Sequence, residues 1–212
     1  MSSDPRNGNR APGEASVDLY WIPLGAGAHA ARASGRLFEA VSALLERRRR
    51  CDLYHSALEV RVPEGRFVIE QTPVPDDRGD ARGVVAGGPV GMRGAGRFRI
   101  FRYEIRRWRD GQIPDVGAAV ASPVRMTEDP GAARRLLDAL PHIPTPVWGR
   151  DELGAGEMWN SNSVVAWALS RGGLDITSVQ PPAGGRAPGW NAGRVVAARD
   201  VIAEPQAAGS VG

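Results

Sequence analysis

Two places in the chain carry residue types that could do chemistry together. One is WNSNSVVAWALSRGG, Trp159 to Gly173, where Asn160, Ser161, Asn162 and Ser163 stand directly before an apolar run. A hydroxyl at the head of a helix gains from the positive end of the helix dipole and from free backbone N–H groups that can hold an oxyanion. The other is LYHSALEV, which contains His55, followed by FVIEQ, which contains Glu70 and Gln71. Ser161 as nucleophile, His55 as general base and Glu70 or Gln71 as the group orienting the imidazole would make an acyl-transfer site. Asn160, with Asn162 beside it, would support the oxyanion. The same residues also have a plainer use. Ser and Asn are preferred helix caps, and a histidine on a strand needs no catalytic role.

Three other constellations are weaker. Gly25-Ala26-Gly27-Ala28-His29-Ala30 follows the apolar run VDLYWIPL and matches a dinucleotide-binding G-x-G-x-x-A. Pro23 and Leu24 interrupt the required strand–turn geometry, and no acidic residue closes a second strand about 20 positions on, so a loop is the better reading. Arg47 to Arg50, and Arg97, Arg99, Arg102, Arg106, Arg107 and Arg109 among Phe98, Phe101, Tyr103 and Trp108, have the composition of a single-strand nucleic-acid surface. Strand-spaced aromatics arise equally from a packed sheet, and the net charge is only +3, which argues against a nucleic-acid partner. The histidines at 29, 55 and 142 and the single Cys51 show no metal-ligand spacing, so no metal and no cofactor is expected.

The elements that must position these residues can be read from periodicity. VDLYWIPL, residues 17 to 24, predicts a strand, and Ser34 predicts the cap of a helix with Leu37, Phe38, Val41, Leu44 and Leu45 on one face. Tyr54, Ser56, Leu58 and Val60 alternate with His55, Ala57 and Glu59, the Pro63–Gly65 turn follows, and Phe67 to Gln71 returns, which predicts a β-hairpin. Residues 82–96 predict a glycine-rich linker and residues 97–111 a long strand. Asp129 caps a short helix, a second helix runs from about Ser161 to Arg171 and stops at Gly172-Gly173, and RVVAARDV predicts a last strand. Strands and helices mix without a βαβ repeat, so the fold class is α+β.

With 212 residues, 42% hydrophobic and 24% charged, the chain has a normal globular balance. We expect a single globular domain over 16–202, a disordered segment over 1–15 and a flexible tail over 203–212. All the basic residues are arginine. The first residues lack the apolar core of a signal peptide, and no stretch approaches the ~20 apolar residues of a membrane span. The lone cysteine fits a reducing compartment, and the expected location is cytoplasmic.

LYHSALEV, then FVIEQ, then WNSNSVVAWAL resembles the motif order of circularly permuted papain-like proteins. That group includes the PPPDE-type peptidases, the lecithin–retinol acyltransferase group and the NlpC-type peptidases. The resemblance covers about residues 52–72 and 155–172. It implies a permuted papain-like domain, with a small twisted antiparallel sheet packed against a nucleophile-bearing helix. It places His55 as base, Glu70 or Gln71 as orienter and Ser161 at the nucleophile position, where the family carries cysteine. A serine hydroxyl gains far less than a thiol from such a site. Three readings follow. The first is a hydrolase or acyltransferase acting on an amide, thioester or ester of a small molecule or peptide. The second is an inactive relative that binds an amide or acyl group. The third is a coincidence of caps, with the arginine-rich strand left as a nucleic-acid surface.

Overall fold

The structure is a computed structural model, and it describes residues 14–24, 51–74 and 83–207. The helix expected from Ser34, the glycine-rich motif at 25–30 and Arg47 to Arg50 lie outside the described residues.

The first strand, β1 (Ser16–Pro23), pairs antiparallel with β2 (Asp52–Val62), which turns at residues 63–64 into β3 (Gly65–Pro73). Then come β4 (Val84–Pro89), β5 (Arg102–Arg109) and β6 (Val124–Thr127). These strands form one antiparallel sheet in the order β4-β5-β3-β2-β1-β6. Three helices follow the sheet in sequence: α1 (Pro130–Ala139), α2 (Ser161–Arg171) and α3 (Trp190–Ala207). The two-residue strand β7 (Gly185–Arg186) precedes α3 and pairs parallel with the start of β2. The α+β expectation holds in this form: an antiparallel sheet with helices packed on it.

Alternation sorts the strand residues onto two faces. Val17, Leu19 and Trp21 of β1, Tyr54, Leu58 and Val60 of β2, Ile69 of β3 and Tyr103 and Ile105 of β5 join the core built with the helices. Val164, Val165, Ala166, Trp167, Ala168 and Leu169 of α2 are all buried in that core. The opposite face carries a smaller cluster, Ile22, Ala57, Val68 and Ile113, with Tyr20 and Ala119 against it.

Three expected boundaries differ. The strand expected over 97–111 begins only at Arg102, because residues 93–97 and 99–101 close into 3₁₀ turns. Part of the expected linker, Val84–Pro89, is a strand whose Gly87 and Gly88 press close against Tyr103 on β5. RVVAARDV is helical rather than a strand. Ala192, Gly193, Val196 and Ala197 are buried at the i, i+1, i+4, i+5 spacing of one helix face, which packs against α2.

Candidate functional site

The head of α2 is fastened by three of its four polar residues. Asn160 is the N-cap, and its Oδ1 accepts the N–H groups of Asn162 (2.9 Å) and Ser163 (3.4 Å). The Ser163 hydroxyl accepts the N–H of Asn160 in return, closing a capping box. Ser163 is fully buried, and its hydroxyl also reaches the Gly189 carbonyl at 2.8 Å. The side chains of Asn160 and Asn162 both donate to the Pro188 carbonyl at 2.9 Å. Glu157 accepts the Gly189 N–H at 2.9 Å. The loop before α3 is thus tied to the head of α2. Gly189 has φ +85°, and a Cβ there would lie 2.6 Å from Asn160 Oδ1, so this close approach requires glycine.

Asn162 also reaches the sheet. Its Nδ2 donates to the Tyr54 carbonyl at 3.0 Å, and its Oδ1 accepts the Ser56 hydroxyl at 2.9 Å. The reason lies in the strand pairing. The β2–β3 ladder ends at Leu58–Ile69, while β2 stays with β1 as far as Tyr54 and β3 stays with β5 as far as Pro73. The two strands therefore part. Leu53 offers its carbonyl to Leu24 on the β1 side, so the next carbonyl, that of Tyr54, points to the side that β3 has left. Asn162 satisfies it, and the head of α2 stands in the fork.

Each expected site residue can now be placed. Ser161 is the first helical residue and is buried, and its hydroxyl has no hydrogen-bond partner among the described residues. His55 is adjacent to Ser56 on an extended strand, so its side chain leaves from the other face. Its register partner is Ile22, and it lies near Asp115. Burial pushes the His55 imidazole below its usual value, while Asp115 opposes that shift. Ser161 and His55 share no hydrogen bond, and the sheet separates their faces; the expected nucleophile–base pair is not assembled. Glu70 lies on the His55 face, but its carboxylate is engaged by Arg106 at 3.1 Å. Gln71 faces the helices, as Ile69 does, and its register partner is Ile105. Asn160 and Asn162 serve as caps and ties.

No family model, curated protein or solved structure matches the chain.

The unused polar groups are therefore the informative ones. Gln71 is 7% exposed, and neither its Oε1 nor its Nε2 has a partner among the described residues. The indole N–H groups of Trp159, next to the helix head, and of Trp190, packed at a tilt against Trp21 with ring centroids 4.9 Å apart, are likewise buried and without a partner among the described residues. A buried carboxamide without partners costs stability, so it marks either strain or a place where a ligand completes the bonding. Ser56, which meets Asn162 at the helix head, is not among the expected site residues. The signal for it was present: it is the polar member of the otherwise apolar series Tyr54, Leu58, Val60. Cys51 is half-buried at the start of β2. Among the described residues, no cluster of three or more His, Cys, Asp or Glu could hold a metal ion.

Proposed function

We propose that the protein is a non-catalytic binding domain on a permuted papain-like scaffold, and that it holds an amide-bearing group, such as a peptide segment, at the head of α2. The observation that carries this reading is the buried carboxamide of Gln71, without a partner among the described residues, on the face of β3 against which α2 packs. A carboxamide offers one acceptor and two donors, the complement of a peptide unit. The hydroxyl of Ser161, without a partner among the described residues, adds a second adaptable group. The motif order His55, Glu70–Gln71, Ser161 supports the scaffold. The β2 residue that reaches the helix head is Ser56, through Asn162, and a hydroxyl is no base; this supports binding over turnover, because a serine nucleophile needs a general base within hydrogen-bond reach.

The test uses N-acetylated amino-acid amides as probes, followed by chemical-shift changes and thermal shift. Gln71→Leu removes an unsatisfied polar group, so the folded state should be unchanged or more stable while probe binding falls at least tenfold. If Gln71→Leu left probe binding untouched, or if the native protein bound no probe, the reading would fail. Labelling of Ser161 by a fluorophosphonate, abolished in His55→Ala, would instead restore the hydrolase.

A further inference from the structure

The exposed apolar surface is concentrated in one place that the site at α2 does not use. Met92, Phe98, Ile100 and Phe101 lie within the connection between β4 and β5, and they are 61%, 51%, 80% and 43% exposed. Residues 97–102 are exposed without a break. The same stretch, MRGAGRFRIFR, contains four arginines and no acidic residue. Its base is held firmly. Arg93 makes two 2.9 Å bonds to Glu152, Arg150 donates to the Gly91 carbonyl at 2.9 Å, and the Gly91 N–H donates to Trp148 at 3.1 Å. The tip closes in turn bonds from Phe98 to Ala95 and from Phe101 to Phe98, and such a 3₁₀ turn brings residues three apart to the same side. A loop with a fixed base loses little freedom when its tip binds.

We infer that this loop docks the protein onto an anionic lipid surface, with Ile100, Phe98, Phe101 and Met92 entering the headgroup–acyl boundary and Arg97 and Arg102 meeting lipid phosphates. Three observations favour lipid. The most exposed members, Ile100 and Met92, are aliphatic and gain by leaving water, whereas a nucleic acid rewards stacking rings. The Arg97 guanidinium lies 4.7 Å from the centroid of the Phe98 ring and occupies a face that a base would need. Pairing of two copies through this loop would set Arg97 and Arg102 against their own copies, which disfavours self-association. Among the described residues no helix is long and apolar enough to cross a membrane, so the contact would be peripheral.

The experiment is co-sedimentation of the full chain with vesicles of phosphatidylcholine alone and of phosphatidylcholine with phosphatidylserine. Partition onto the anionic vesicles only, weakened by added salt, is expected. Ile100→Asp should reduce it about tenfold or more, and Arg97→Ala and Arg102→Ala roughly fivefold each. All three positions are exposed, and an unchanged circular dichroism spectrum verifies that each variant is folded. No partition onto anionic vesicles would overturn the inference, as would partition indifferent to Ile100→Asp. Binding of a single-stranded oligonucleotide without vesicle partition would overturn it in favour of nucleic acid. Concentration-dependent dimers abolished by Ile100→Asp, again without vesicle partition, would overturn it in favour of self-association.

Discussion

The carboxamide of Asn162 joins three parts of the chain: the Tyr54 carbonyl and Ser56 hydroxyl of β2, the Pro188 carbonyl before α3, and its own helix. Replacing it with leucine would leave a hydroxyl and a strand carbonyl buried without partners. Asn162→Leu should therefore lower stability by about 3–5 kcal/mol in urea denaturation, in the range of broken buried networks. A loss under ~1 kcal/mol would show that the fork closes without it. His55 makes a different prediction. Burial lowers its value in the folded protein, so between that value and 6.5 the unfolded chain binds more protons. Stability from this residue is fully present above pH 6.5 and is lost as the pH falls through the folded value. The urea midpoint should drop on acidification below 6.5, and His55→Leu should remove that part of the slope. A slope identical in the variant would mean that the imidazole is as solvated folded as unfolded. At this scale the capping role of the 160–163 cluster was legible and its neighbour across the sheet was not: Ser56, not His55, meets the helix head. Capping residues are legible from type and position, but which strand neighbour faces a helix depends on the side toward which the apolar set lies. The alternation Tyr54, Ser56, Leu58 already placed Ser56, and not His55, on the apolar side.

Elements were legible where periodicity and caps agreed. The β2–β3 hairpin, α1 behind Asp129 and α2 ending at Gly172 follow local rules that tertiary packing reinforces. The helix α3 was not legible, because Val195 and Val196 suggest a strand and Gly193 weakens a helix locally. Its reason is tertiary. A Cβ on Gly193 would lie 2.2 Å from the Ser163 carbonyl oxygen and 2.9 Å from the Ala166 Cβ, so the bare glycine lets α3 approach α2. In an isolated helix, glycine to alanine would gain about 1 kcal/mol. Here Gly193→Ala should instead destabilise by about 2–3 kcal/mol, as overpacking at a helix crossing does. A thermal midpoint raised by the alanine would show that the crossing yields. The strand start at Arg102 was hidden for another reason: arginines alternating with aromatics read the same in a strand and in the exposed turns before it.

Across the whole molecule, the sheet is covered by helices on one face and carries charge on the other. Asp18 of β1 and Glu59 of β2 are register partners and both buried; Arg125 holds the first at 2.6 Å, and Arg61 and Arg66 hold the second at 2.6 and 2.9 Å. Farther along, Arg106 of β5 is 4% exposed between Glu70, its register partner on β3, and Glu104 on its own strand. Such a face reads in sequence as an ordinary solvated strand edge. Its burial follows from strand order and from the 110–119 segment laid against it, and local pattern encodes neither. A buried ion pair offers little net stability over an apolar pair of the same volume, but halving it is costly. Arg106→Leu removes the guanidinium that holds the buried Glu70 carboxylate at 3.1 Å, so it should cost about 3–5 kcal/mol. Adding Glu70→Leu should recover much of that loss, giving a coupling of opposite sign to the single effects in a double-mutant cycle. If the two losses simply added, Glu70 would have to be solvated in the folded state, and the far face of the sheet would be an open surface. Recovery would instead establish that this face is a second interior whose charges are held by pairing, and that Glu70 belongs to the architecture of the sheet rather than to chemistry at His55.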